Sequence, residues 1–190
     1  ECIGSESSEG SGRATMKLTA GKVTGYTVYE SNGKGKWKED RVGVISYNDD
    51  GKPSGIMVID EYGVISTSYK WVNGNLTEVT NKYSGTNLSE EETQYLKYGN
   101  EENKGGAYMS WISGLESRVV SHAFAFFDIC ILPLFIGLSP AQCPIALTVD
   151  YDGQQETYSL SYLFDKAKYP LVQSFSKDDS DWSYKIQFEY

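Results

Sequence analysis

From Ala14 the chain alternates apolar and polar residues with period two, which predicts strands over ATMKLTA and over Lys22 to Glu30, paired around Gly21. The segment SNGKGKWKED supplies turn residues. Val42 to Asn48 runs into Asp49-Asp50-Gly51-Lys52 and Pro53 to Asp60 leaves it, the pattern of a hairpin with a Gly-containing loop. Val64 to Val72 meets Asn75 to Tyr83 across Asn73-Gly74, and Asn-Gly between alternating runs is a strong short-range hairpin signal. Thr93 to Tyr98 is one more strand. After Pro144 the strands resume at Ile145 to Tyr151, Glu156 to Phe164, Leu171 to Ser176 and Trp182 to Tyr190. A weak repeat joins these hairpins (SYNDDGKPSGIMV, KWVNGNLTEV, VDYDGQQETYSL, LFDKAKYPLVQSF), each an aromatic strand end, a polar turn and a new strand. The expected fold is therefore mainly β, a strongly curved antiparallel meander sheet or partial barrel.

One stretch breaks the pattern. Tyr108, Trp111, Ile112, Leu115 and Val119 recur at helical spacing, and behind them Val119 to Leu138 is a long apolar run. A membrane span needs about 20 apolar residues, and Ser121, His122, Asp128 and Pro133 interrupt this one. The expectation is a hydrophobic helical insert at about residues 107–138, buried against the concave face of the sheet. With it go a disordered tether over residues 1–12 and a single β-rich domain over residues 13–190.

Charge and composition then narrow the function. Lys and Arg number 17 against 26 Asp and Glu, a formal charge of -9 that repels phosphate backbones, so no nucleic acid partner is expected. The 15 Tyr and 4 Trp suit pleated strands and also suit sugar-binding surfaces. The Ser, Gly and Glu-rich start (ECIGSESSEGSG) reads as a trimmed N-terminus. Cys2 before a polar tether is a candidate lipid anchor of the bacterial lipoprotein kind; against that, such a Cys would be residue one, and Glu1 is not the small residue that usually precedes it. The three Cys allow one internal disulfide, for which Cys130 and Cys143 are the candidate pair, the alternative being that Cys130 is a small buried hydrophobe.

Chemistry is sparse. His122 is the only His, and neither Ser121 nor Asp128 is placed to work with it on one helix. Asn48-Asp49-Asp50-Gly51 and Asp178-Asp179-Ser180-Asp181 lack the spacing of a helix-loop-helix calcium loop, so no metal is expected. Asn75-Leu-Thr and Asn87-Leu-Ser match a glycosylation acceptor. With no Gly-rich phosphate loop or nucleophile elbow, neither a cofactor nor a reaction is expected. An Asp/Glu pair for glycoside hydrolysis depends on geometry that spacing does not reveal. Candidate ligand-binding residues are Trp37, Trp71 and Trp182, as exposed aromatics for a glycan, with His122 and Asp128 as a polar stripe on the insert.

The hairpin repeats, WVNGNLTEV at Trp71 to Val79, the Tyr98-Gly99-Asn100 then Asn103 step and YLFDKAKYPLVQSF together resemble the Bacteroidetes extracytoplasmic proteins of a domain of unknown function with a porin-like fold, many of them lipoproteins. The resemblance covers most of Ala14 to Tyr190. It departs from the family where Ala167-Lys168 stands in place of Gly before Tyr169-Pro170. It implies a curved antiparallel sheet around a helical insert, placed outside the cytoplasm in the periplasm, on the outer membrane surface or secreted. It carries no catalytic residues. The expected role is a non-catalytic binding or structural module, with a glycan or another envelope protein as partner and membrane contact only through a lipid anchor; a glycan-binding module, a hydrolase and a module holding an apolar ligand between helix and sheet are the rivals.

Overall fold

The structure is a computed structural model and describes residues 2–3, 12–31, 36–86, 88–104, 136–177 and 183–187. Its strands are β1 (Cys2–Ile3), β2 (Gly12–Thr19), β3 (Lys22–Ser31), β4 (Trp37–Tyr47), β5 (Pro53–Asp60), β6 (Gly63–Val72), β7 (Asn75–Gly85), β8 (Ser89–Glu102), β9 (Gln142–Tyr151), β10 (Gln154–Phe164), β11 (Pro170–Lys177) and β12 (Ser183–Gln187). They form a 12-stranded sheet whose spatial order is the chain order, with β1 and β12 at its two ends. The antiparallel meander expected from the alternation is thus the observed topology. The helical insert expected at about 107–138 lies almost wholly outside the described residues, and at its end Ile136 and Leu138 are buried. Among the described residues no helix is long and apolar enough to cross a membrane.

The turns follow from their residues. Asn73 and Gly74 both take positive φ (51° and 78°), as do Asp152 and Gly153 (53° and 76°), the geometry of two-residue turns that match strand twist. Lys168 takes φ 68° where the resembled family carries Gly. Its turn is held by Asp165, whose Oδ1 accepts from the backbone N–H of Ala167 and of Tyr169, both at 2.8 Å.

Two expectations change. Cys2–Ile3, placed in a tether, pairs with Ala14 and Arg13 as a short edge strand. Trp37 to Asp40, taken as turn residues, belongs to β4; Trp37, Lys38 and Glu39 pair with β3 although all three are exposed. The chain groups into two compact units, unit 1 of Glu1–Ser68 and Lys82–Glu90 and unit 2 of Tyr69–Asn81 and Glu91–Tyr190.

Unit 1 packs an aliphatic core from Val23, Val28, Ile45, Ile56, Val58 and Ile65. Tyr26 lies across Gly43, where an added Cβ would fall inside its ring, so glycine is required there. Unit 2 buries Leu76, Val79, Leu96, Leu147, Val149 and Leu160, with Tyr158 and Phe175 stacked at 5.0 Å. Its covered face is also polar. Asn75, Asn81, Glu92, Gln94 and Gln173 are buried, and Gln94 Nε2 donates to Glu92 Oε1 at 2.7 Å, which offsets part of the cost of taking both from water.

Candidate functional site

In unit 1 the register between β3 and β4 shifts after the Val28–Arg41 pair, so that Tyr29 meets Glu39 and Asp40 is the extra residue of a bulge. Beyond it Glu30 faces Lys38, and on the other side of β4 Arg41 faces Asp60 and Val42 faces Ile59. These strand ends line a half-open cavity of about 490 Å³. Its wall carries five carboxylates (Glu30, Glu39, Asp40, Asp60, Glu61), two cations (Lys38, Arg41) and two apolar side chains (Val42, Ile59).

Most of these charges are already held. Arg41 Nη1 pairs with Asp40 Oδ2 at 3.2 Å with the Arg41 side chain only 10% exposed, so the guanidinium is fixed in place. Lys38 Nζ reaches Glu61 Oε2 at 3.4 Å, an exposed pair of little energetic weight. Asp60 Oδ1 accepts from the N–H of Tyr62 at 2.8 Å and of Gly63 at 2.9 Å, closing the turn into β6. A hydrogen bond to Glu61 and the charge of that carboxylate push the exposed Tyr62 phenol above its ordinary value. Glu30 and Glu39 are exposed. Glycoside hydrolysis needs one carboxyl kept protonated by apolar burial beside one that is ionised. Here three of the five serve Arg41, Lys38 and the backbone, and the other two stand in water, so the arrangement suits holding a ligand better than moving a proton.

The sequence candidates are scattered relative to this cavity. Trp37 opens β4 opposite Ser31, immediately before Lys38, and is 40% exposed. Trp71 is half-buried in unit 2. Trp182, His122, Asp128 and Cys130 lie outside the described residues. Cys143 is a buried free thiol, and Cys130, its partner in the candidate disulfide, lies outside the described residues. Its Sγ lies 3.6 Å from the carbonyl of Glu102, and burial together with the charge of Glu101 pushes the thiol up to about 11. Cys2 contributes backbone pairing to β1, and its role as lipid anchor stays an expectation.

The acidic turn Asn48-Asp49-Asp50-Gly51 is closed by Asn48 Oδ1, which accepts from Lys52 N at 2.9 Å. Lys22 Nζ donates to Gly51 O at 3.3 Å while lying 4.9 Å from the Tyr47 ring centroid, so a lysine sits where a bound cation would. Among the described residues no group of three or more His, Cys, Asp or Glu is arranged to hold a metal. Asn75 of the first glycosylation match is buried and exchanges two hydrogen bonds with Gln142, at 2.8 and 2.9 Å, which closes it to modification in the folded chain.

Unit 2 has a buried polar cluster of its own. Tyr98 donates to Leu76 O at 2.6 Å, and Gln173 Nε2 donates to the Tyr162 hydroxyl at 3.2 Å. Burial pushes both phenols well above the ordinary tyrosine value, with the nearby Cys143 charge adding to the effect at Tyr162. These hydroxyls, on half-buried side chains, tie strands together.

No family model matches the chain, and no curated protein matches it. Solved structures do. A porin-like protein from Bacteroides vulgatus superposes with a TM-score of 0.67 at 13% identity, over 98% of this chain and 84% of that one. The fold is porin-like. A second porin-like protein, from Bacteroides uniformis, gives a TM-score of 0.39 at 14% identity over 95% of this chain and 90% of that chain. The expected fold is met in the first of these; the grouping with envelope lipoproteins rests on the sequence resemblance.

The cavity residues Glu30, Lys38, Arg41 and Asp60 escaped the sequence reading. For Lys38 the signal was the run KWKED, charged at every position but Trp37, directly ahead of an apolar strand.

Proposed function

We propose that the protein is an extracytoplasmic binding module of the cell envelope, working in water and without a reaction of its own, whose ligand is held at the charged cavity of unit 1. The observation that carries this reading is the pocket itself, a half-open volume whose lining includes a fixed guanidinium, exposed carboxylates and two aliphatic residues. The porin-like fold fits an envelope protein, and Cys2 offers a point of attachment. The open face of unit 2 is not coloured like a membrane barrel. Membrane strands turn an apolar band about 25 Å tall toward lipid, where a Lys at the midplane costs about 2–4 kcal/mol. Here the open side of unit 2 carries Thr93, Tyr95 and Lys97 on β8, Thr148 on β9, Thr157, Ser159 and Ser161 on β10, and Ser174 and Ser176 on β11, with Leu163 as an exposed apolar residue at the end of β10. The polar side chains among them suit water.

The test is a thermal-shift screen of the purified chain against sugars, amines, peptides and carboxylates, with mass spectrometry of each compound recovered. A rise in Tm with at least one class, lost in a Glu39→Gln/Lys38→Met double variant, supports the reading. A compound recovered chemically altered overturns its non-catalytic part, and a Tm rise that survives the double variant removes the cavity as the site.

A further inference from the structure

We infer that the cavity of unit 1 is a saccharide subsite that takes a neutral sugar ring, an inference that rests on the binding-module reading and gives it a ligand class. Size comes first. About 490 Å³ lies in the range of small-ligand pockets, roughly 300–1,000 Å³, and is far too small for a folded partner.

Polarity then selects among small ligands. A sugar hydroxyl donates and accepts at once, and the wall offers both kinds of partner side by side: Glu30 and Glu39 accept, Lys38 and Arg41 donate. Glu30 and Lys38 face each other in register across β3 and β4, so a donor and an acceptor stand at one step of the ladder. A simple anion would meet the carboxylates, and a simple cation would meet Arg41, which Asp40 holds in place, together with Lys38 and the exposed Lys36 just ahead of it. A neutral ligand carrying many hydroxyls meets neither penalty.

Apolar surface completes the match. A pyranose has a C–H face as well as hydroxyls, and Val42 and Ile59, paired in register, supply the surface for it, Ile59 being 44% exposed. Trp37, 40% exposed and next to Lys38 in β4, lies outside the lining and offers an aromatic surface to a ligand that extends past it. The Asp40–Arg41 pair fixes one donor before the ligand arrives, which lowers the ordering cost of binding.

The experiment titrates the full chain with cellobiose, maltose and lactose, and in parallel with glucuronate and with tri-lysine, using ligand-observed NMR and calorimetry. The inference expects at least one neutral disaccharide to bind more tightly than both charged probes. It also expects Glu39→Gln and Lys38→Met, both at exposed positions that leave the core intact, to weaken that binding at least 5-fold each, and Trp37→Ala to weaken it about 3-fold. Arg41→Met should weaken it most, with circular dichroism and a thermal melt confirming the fold. Disaccharide binding unchanged in Glu39→Gln and Lys38→Met overturns the inference. If glucuronate or tri-lysine binds and loses affinity in these variants while the disaccharides do not bind, the saccharide class falls and the cavity remains the ligand site. If no probe binds, the inference is overturned, while the broader screen for the binding module still stands as a separate test.

Discussion

Strands β4 and β5 of unit 1 and strands β8 to β11 of unit 2 each have a covered and an open face, yet the two pairs of faces differ in kind. On β4 and β5 both faces are apolar. Ile45, Ile56 and Val58 are buried, while Val44, Met57 and Ile59 on the other side are 47%, 42% and 44% exposed. In register, Val44 pairs with Met57 and Val42 with Ile59, so the open residues form a continuous strip that runs into the cavity wall. In unit 2 the open face is hydroxyl-rich, with Thr148 and Thr157 hydrogen-bonded at 3.1 Å and Ser159 opposite Ser176, and polar groups appear on the covered face as well. The difference bears on how register is specified. Shifting a strand by one residue exchanges its faces. In unit 2 that slip would bury Thr148, Thr157 and Ser159 and expose Leu147, Val149 and Leu160, so alternation alone forbids it. In unit 1 the same slip exchanges Ile45 for Val44 and Val58 for Met57 at little hydrophobic cost. There the register is held by fit, through Gly43 beneath Tyr26 and the bulge at Asp40.

The largest effect should come from the covered face that alternation defines. Leu147 is 0% exposed, and Leu147→Ala should cost about 2–5 kcal/mol in urea unfolding. Val44→Ala on the open face of unit 1 should stay within about 0.5 kcal/mol. Equal costs would mean that the Val44 strip is covered in solution and that the contrast between the units is false. Next in size, Gly43→Ala should cost about 1–3 kcal/mol by forcing the Tyr26 ring from its place. A double variant with Tyr26→Ala should then be non-additive, the added methyl costing little once the ring is gone. Full additivity would show that the Gly43 fit does not hold the register.

Legibility in the sequence divides along the same line. Asn73-Gly74 and Asp152-Gly153 announce their turns, because only a few residues tolerate positive φ, and the strands they join were placed to within a few residues. Strand β8 was read as Thr93 to Tyr98 but spans Ser89–Glu102. Its early residues Glu90 to Gln94 are polar on both sides, so nothing in the pattern shows that Glu92 and Gln94 point inward. In β4 and β5 the opposite holds, since VGVIS and GIMVI are nearly continuous apolar runs that leave the choice of face open. The cavity was hidden for a further reason. It needs the end of β3, the start of β4 and the end of β5 together, and the bulge that gathers them is a register shift, which no residue type announces.

Cys143 sharpens the contrast through pH, since its thiol is part of the covered face of unit 2. Its pKa is raised from the ordinary 9.0 to about 11. Below pH 9 the thiol is protonated in both states and its contribution is whole. Between 9 and 11 the unfolded chain gives up the proton while the folded chain keeps it, so stability falls as pH rises, by an amount on the order of 2 kcal/mol. Urea melts from pH 8 to 10.5 should show this decline in the native chain and a shallower one in Cys143→Ala. Parallel slopes would mean that the thiol is not buried as described. In the folded chain at pH 8, Cys143 should also resist alkylation, and should react once urea is added; a thiol that stays unreactive in urea would indicate the disulfide to Cys130.

The smallest expected effects are on the open faces themselves, and they test whether both see water. Thr148→Val removes one exposed-face hydrogen bond from a residue whose replacement is an equally good strand former, so the change should stay within about 0.5 kcal/mol. Met57→Thr, its counterpart in unit 1, should be as mild if the strip is solvated. The two variants separate in a different measurement. An exposed apolar strip attracts hydrophobic dyes and surfaces, so Met57→Thr should lower dye binding while Thr148→Val leaves it unchanged or raises it. If the strip of unit 1 meets water, the native chain, prepared without an acyl group, should not float with lipid vesicles. Flotation of the native chain abolished by Met57→Thr would instead make the strip of unit 1 a membrane contact, and the two open faces would then differ in partner as well as in polarity.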